Sequence, residues 1–296
     1  MKRWCLLVLF AYSAYAKEIA LTFDDAPVPD SLTFSSLQRT STLIEKLKEL
    51  EVPPVMIFAN GCKRADTTSV ISQLKQYVDA GHIIANHTCT HPRFDEIGFE
   101  QFSANTAKNE DLLKPLFAGK KFFRYPFLNE GIELSERDKM RAWLRVNHYQ
   151  HGMVSVDNDD YYFSSRLNQA KKLKRKIDLP KFEAIFLEHV LGAVEFYDQL
   201  AMETLNRSPK HVLLLHEQDV TVMFLSSLVS ELRRRGWKII PATDAYQDPL
   251  YQMNSANTYG NNGIVAQVHF EKTGNKKNYD GFRVAKKKLD ELIQLK

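Results

Sequence analysis

Two short motifs in this chain combine residue types suited to chemistry at a metal ion. Asp24 and Asp25 follow an apolar run. Adjacent residues at a strand end point in different directions, so two carboxylates there can take two roles. One can hold a cation while the other, close to it, stays available as a base. A turn or N-cap pair is the plainer reading of Asp-Asp before Ala-Pro. His87 and His91 stand four positions apart with Thr-Cys-Thr between them. In a helical turn that spacing puts both imidazoles on one face, where they could meet one ion. Taken singly, each is more often a satisfied core or surface histidine. Two histidines with one carboxylate form a common ligand set for catalytic zinc that leaves room for water or substrate. Pro92 is expected to stop the turn, and Cys89 to face away from the ligands.

The elements that must position these residues are legible as alternating short apolar runs and longer amphipathic stretches. Ile19–Phe23, Val55–Ala59, His82–Ala85, Lys121–Arg124, Met153–Val156, Val212–Leu215 and Trp237–Ile240 read as strands. Helical patterns cover Ser36–Leu50, Ser69–Ala80, Gln101–Leu116, Glu136–Asn147, Phe163–Ile177, Phe182–Asn206 and Val222–Arg235. This alternation predicts an α/β fold, a parallel sheet covered by helices and either open or closed into a barrel. Catalytic groups in such folds sit at the C-terminal ends of strands. Asp24 and Asp25, His87 and His91, Arg124, Asp157 to Asp160, and His216 all follow or end predicted strands, so five polar clusters are expected on one rim.

Composition sets the frame. With 296 residues, 44% hydrophobic and 26% charged, the chain is long enough for one large domain. Lys2 and Arg3, the apolar run Trp4 to Ala11, and Ala14-Tyr15-Ala16 read as a signal peptide over residues 1–16, cleaved near Ala16. Export to the periplasm or medium is the expectation, with no transmembrane anchor because the run is too short to span a bilayer. Loss of that segment would bring the formal net charge of +4 closer to neutrality. The run Lys171 to Lys176 reads as a solvated helix face, and nothing suggests nucleic-acid binding. Cys5 would leave with the segment, so Cys62 and Cys89 remain; an exported pair can join, but two free thiols are expected here. After about Gln247 an Asn-, Gly- and Tyr-rich stretch leads to a short apolar segment and a basic helix, Arg283 to Lys296, which could pack on the fold or extend from it.

The order of motifs carries a resemblance. Leu21-Thr-Phe-Asp-Asp-Ala-Pro27 followed by Asn86-His-Thr-Cys-Thr-His-Pro92 resembles the polysaccharide deacetylase (NodB-homology) family, carbohydrate esterase family 4. The likeness continues through Phe123-Arg-Tyr-Pro-Phe127, Asp157-Asn-Asp-Asp-Tyr161 and Val212-Leu-Leu-Leu-His216, from about Lys17 to Asp248. It implies a distorted (β/α) barrel as a single catalytic domain over 17–248, with 249–296 an extension outside it. It also implies Asp24 as general base, Asp25, His87 and His91 as metal ligands, and His216 as general acid. Arg124 would orient the base and Asp160 would pair with His216. The implied cofactor is a divalent metal, Zn²⁺ first and Co²⁺ second, and the implied partner is an acetylated glycan bound by a monomer.

The chemistry expected of those residues is consistent. A guanidinium beside Asp24 would hold it ionised. The Phe127 backbone N–H could serve the oxyanion, and a carboxylate beside His216 would keep it charged to protonate a leaving amine. Leu213 and Leu215 could line a slot for the acetyl methyl, with core packing the alternative. Two departures from the family pattern bear on the sugar groove: Tyr161 where Trp is usual, and Phe127-Leu128 in place of Tyr-Gly. The stretch Tyr162 to Asn206 exceeds a simple crossover and is expected to form a helical insertion beside the groove. The expected activity is removal of N-acetyl groups from a glycan of the chitin-oligosaccharide or peptidoglycan type. The alternatives are an O-acetyl esterase or small-amide hydrolase, or a glycan-binding protein on a decayed scaffold.

Overall fold

The computed structural model describes residues 17–259 and 262–293; the expected signal peptide lies outside them. Strands β1 (Lys17–Ala26), β2 (Met56–Ala59), β3 (Ile83–Asn86), β4 (Lys121–Phe123), β5 (Tyr149–His151), β6 (His211–His216) and β7 (Trp237–Ile239) form one parallel sheet. Its order is β5-β4-β3-β2-β1-β6, and β7 pairs with the start of β1. Crossover helices cover it: α1 (Ser36–Glu49), α2 (Thr67–Asp79), α3 (Phe94–Leu113), α4 (Leu134–Val146), α5 (Asp160–Lys172), α6 (Leu179–Leu205) and α7 (Asp219–Arg234). Local signals set several starts. Ser35 and Gln38 make a reciprocal capping box on α1, and Asp178 caps α6 through the Lys181 N–H. Among the described residues no helix is long and apolar enough to cross a membrane.

The sheet is a curled half-barrel, and one chain segment spans its gap. After β5 pairs with β4, the Ser155 and Val156 N–H groups both donate to the Val212 carbonyl at 3.1 Å, and Val156 accepts from Leu214 at 3.1 Å. The strand expected at Met153–Val156 is therefore displaced. Regular pairing sits at Tyr149–His151, and only Val156 bridges to Leu213. Gly152 turns the chain between the two edges, where an added Cβ would fall 2.5 Å from the Phe58 ring. Only glycine allows that approach.

The described helices beyond the sheet and its crossovers pack on it or on its helices. The apolar stretch after Gly263 is helix α9 (Gly263–Thr273), preceded by the short α8 (Ala242–Ala245), and the basic helix is α10 (Gly281–Leu292). Both α9 and α10 pack on α6, burying Ile264, Val265, Ala266, Ala285 and Leu289. Arg137 of α4 ties down the loop before α9 through the carbonyls of Ala256 and Asn257 at 3.0 and 2.8 Å. The tail thus packs on the fold. The insertion is likewise resolved into roles: α5 begins at the groove with Asp160 and Tyr161, whereas α6 carries the tail. Cys62 and Cys89 are joined in a disulfide, contrary to the free thiols expected. The Cys62 N–H donates to the Cys89 carbonyl at 3.0 Å, so the loops after β2 and β3 are already in contact.

Candidate active site

The C-terminal rim of the sheet holds an open cleft of about 320 Å³ lined by Asp24, Asp25, His87, His91, Phe127 and His216, among others. Asp24 ends the regular part of β1, in register with His216 of β6 and Phe58 of β2. Strand alternation would send Asp25 to the opposite face. A bulge between Asp24 and Ala26, with Asp25 at φ 73°, re-aims its side chain into the same cleft. This left-handed conformation is uncommon for a non-glycine residue. Thr88, His91, Phe127 and Leu128 share it, at φ 67°, 61°, 58° and 50°, so unfavourable backbone is concentrated on this rim.

The His87–His91 segment is a loop and not the helical turn expected from its spacing. Buried asparagines shape it. Asn60 donates to the carbonyls of His87 and Thr88 at 2.5 and 2.9 Å, and the Thr88 N–H donates to Asn86 Oδ1 at 2.9 Å. The His91 N–H donates to Thr88 Oγ1 at 3.1 Å. Pro92 precedes α3 rather than stopping a turn, and Cys89 is engaged in the disulfide. With Asp25, the two imidazoles place three donor atoms within 4.8 Å of one another. His91 Nε2 lies 3.2 Å and His87 Nε2 3.9 Å from Asp25 Oδ1. His87 Nδ1–H donates to the Arg124 carbonyl at 2.8 Å, which leaves Nε2 with its lone pair toward the cluster. Burial pushes both imidazoles down, His91 to about 4. Neutral rings beside a carboxylate are the protonation state that metal ligation needs. Burial alone would raise Asp25, but Lys63, then His91 and His216, hold it below the usual carboxylate range. The donor set fits a divalent ion of the zinc type.

Beside this cluster, Asp24 is buried and paired with the fully buried Arg124. Arg124 Nε donates to the Gly152 carbonyl at 2.7 Å and its other terminal nitrogen to Tyr246 Oη at 3.0 Å. Its guanidinium lies 3.8 Å from the Phe58 ring centroid. Burial raises Asp24 to about 6 against the pull of Arg124. Across the cleft, His216 Nδ1–H donates to Asp160 Oδ1 at 2.6 Å. The other Asp160 oxygen accepts from the His216 N–H at 2.8 Å and from Thr221 Oγ1 at 2.7 Å. Burial opposes charge on His216, yet Asp160 first, with Asp25 and Asp24, outweighs it and raises the imidazole to about 9. Asp157 faces the same cleft, pushed up to about 8 by burial and by Asp159.

All the catalytic and metal-site candidates from the sequence meet here. The lining residues divide. Phe127 and Tyr161 border the cleft, the Phe127 ring 4.6 Å from His91 and the Tyr161 ring 5.4 Å from His216. Leu213 and Leu215 do not: both are fully buried in the core, and Leu214 lines the cleft instead. The reason is strand period two, because Leu214 shares its face with His216. Lys63, Tyr246 and Glu217 escaped the sequence reading. Glu217 accepts from the Val28 N–H at 2.8 Å, from Thr40 and Tyr77 at 2.5 Å each, and its own N–H donates to the Asp24 carbonyl at 3.0 Å. It thereby ties the end of β6 to the turn after Asp25. Its place directly after His216 was the available signal; Lys63 and Tyr246 offered none.

Comparison with known proteins agrees with this geometry. Residues 12–139 match the polysaccharide deacetylase family model. A peptidoglycan-N-acetylglucosamine deacetylase of Bacillus cereus is 30% identical over 161 residues, covering 53% of this chain and 52% of that protein. The chain thus spans about half the length of this curated relative. Among solved structures, the catalytic domain of a peptidoglycan N-acetylglucosamine deacetylase from Eubacterium rectale superposes with a TM-score of 0.54 at 16% identity, covering 77% of this chain and 90% of that one. The polysaccharide deacetylase Bc1974 from Bacillus cereus gives 0.53 at 17% identity, covering 76% and 91%. A mutant of a CE4 family pseudoenzyme gives 0.52 at 18% identity, covering 78% and 67%. These neighbours share the curled parallel-sheet barrel, and over residues 12–139 the chain is similar to the polysaccharide deacetylase family.

Proposed function

We infer that the protein is a metal-dependent hydrolase that removes N-acetyl groups from an N-acetylated glycan of the peptidoglycan or chitin-oligosaccharide type. The observation that carries this reading is the juxtaposition of a three-donor cluster, Asp25, His87 and His91, with a separate base and a separate acid in one cleft. A divalent ion, Zn²⁺ or Co²⁺, held by those three residues supplies Lewis-acid polarisation of a carbonyl and a more acidic water. Asp24 removes the proton of the attacking water, and a carboxyl near 6 is suited to that exchange at neutral pH. Arg124 holds Asp24 in place. The N–H of Phe127, a residue that borders the cleft, donates to the developing oxyanion. His216, kept charged by Asp160, protonates the departing amine. Asp157, protonated at neutral pH, donates to a sugar oxygen, and Tyr161 offers an exposed ring for stacking.

The glycan part rests on the likeness to the polysaccharide deacetylase family and to the peptidoglycan-directed relative. Export is supported by the pattern of residues 1–16 and by the Cys62–Cys89 disulfide, which suits an oxidising compartment. We place the catalytic unit at 17–248 with 249–296 as its buttress, acting as a monomer. Since one structural neighbour is described as a pseudoenzyme, fold alone does not settle activity. A bare binding protein, however, has no need of both Asp24 and the His216–Asp160 pair. The deciding experiment is acetate release from chitooligosaccharides, peptidoglycan and acetylxylan, with and without chelator. Release from the first two, lost on chelation and restored by Zn²⁺ or Co²⁺, is expected. Release from acetylxylan alone would assign an esterase, and no release from any substrate would leave the binding protein.

A further inference from the structure

Lys63 is a charged group for which the scheme above has no task. Its backbone is held firmly. The Gly61 N–H donates to Asn109 Oδ1 at 2.7 Å, and Cys62 is bound to Cys89 by the disulfide and by a backbone hydrogen bond. Lys63 is therefore anchored to the loop that carries His87 and His91. From that anchor its Nζ reaches Asp25 Oδ1 at 2.7 Å, with 24% of the side chain exposed. Oδ1 is the same oxygen that faces both histidines. Lys63 does not line the cleft.

We propose that Lys63 is a resident counter-cation that competes with the divalent ion for Asp25 and sets the affinity of the metal site. This rests on the metal-site reading above. Without an ion, the Lys63 ammonium is seated on the Asp25 oxygen that a metal would share with the two imidazoles. Once an ion is bound, the ammonium becomes a like charge in a partly desolvated site, where repulsion is far stronger than in water. The opposing possibility is that Lys63 supports the ligand as a hydrogen-bond donor, in which case its loss would weaken binding. Its seat on the ligating oxygen itself favours competition.

The test is Zn²⁺ affinity of the full chain, measured by competition with a chromogenic chelator, for wild type, Lys63→Gln, Lys63→Met and Lys63→Arg. The Gln and Met variants are expected to bind Zn²⁺ about tenfold more tightly or better, and Arg to match wild type. The ion-free Gln and Met variants should also melt at lower temperature than ion-free wild type, with the order reversed in saturating Zn²⁺. Unchanged or weaker Zn²⁺ binding in the Gln and Met variants overturns the proposal. So does weakening by Met alone, which would assign hydrogen-bond support. Failure of the underlying reading is distinguishable: wild type would bind no Zn²⁺, or His91→Ala would bind it equally well.

Discussion

Replacing Asp160 by Asn should move the alkaline limit of activity without removing any group that touches the substrate. Asp160 is buried and meets the His216 ring at 2.6 Å. Burial alone would lower the imidazole, and Asp160, followed by Asp25 and Asp24, more than reverses it, raising His216 from 6.5 to about 9. That difference corresponds to about 3 kcal/mol in favour of the charged ring. In Asp160→Asn the burial remains and the largest opposing charge is gone, with only Asp25 and Asp24 left to raise the imidazole, so it should fall toward 6.5. At pH 8 the protonated fraction then falls from about nine-tenths to a few per cent, a loss of roughly 30-fold in an acid-dependent rate. At pH 6 the same substitution costs only about 1.3-fold by this route. The assay is the pH dependence of kcat/KM for acetate release between pH 5.5 and 9.5. Stability gives a second readout. A base raised on folding stabilises fully below its unfolded value and loses that contribution as pH rises through the folded one. Wild type should therefore lose stability between about pH 6.5 and 9, and Asp160→Asn should lack that slope. An activity loss of equal size at every pH would refute the reasoning.

Three further outcomes follow from the same geometry. Asp24→Asn should lower kcat by about 10²–10⁴ while retaining one equivalent of Zn²⁺ by elemental analysis; full activity would remove Asp24 as the base. Arg124→Met leaves the Asp24 carboxylate buried without its guanidinium and should cost about 3–5 kcal/mol in denaturant unfolding at neutral pH; a change within error would mean the pair is not desolvated. Joint replacement of Cys62 and Cys89 by Ser opens a loop of sequence separation 27 and should cost about 3–4 kcal/mol by the same measurement, with the His87–His91 loop as the first region to lose amide protection in hydrogen exchange.

Much of this protein is local information. Strands were legible where short apolar runs were buried on both faces, as at Val212–Leu215. Asp24, His87, Arg124 and His216 were legible as candidates because a parallel α/β sheet delivers its strand ends to one rim. Their assembly into one mechanism came from motif order. Other features depend on partners distant in sequence, and only the tertiary structure decided those. The choice of Leu214 over Leu213 and Leu215 depends on which face of β6 meets Asp24. The closure of the half-barrel by Tyr149–Val156 needs two strands about 30 and 60 residues away in opposite directions. The His87–His91 loop takes its shape from Asn60 and Asn86, not from a helical period. Lys63 and Tyr246 carry no signal in their own neighbourhoods, since a lysine or tyrosine gains a role at a site only from the charge it is packed against. Residue types and spacing thus specified which groups could do chemistry. The fold specified their shared cleft, and the low-dielectric packing around them specified which are charged.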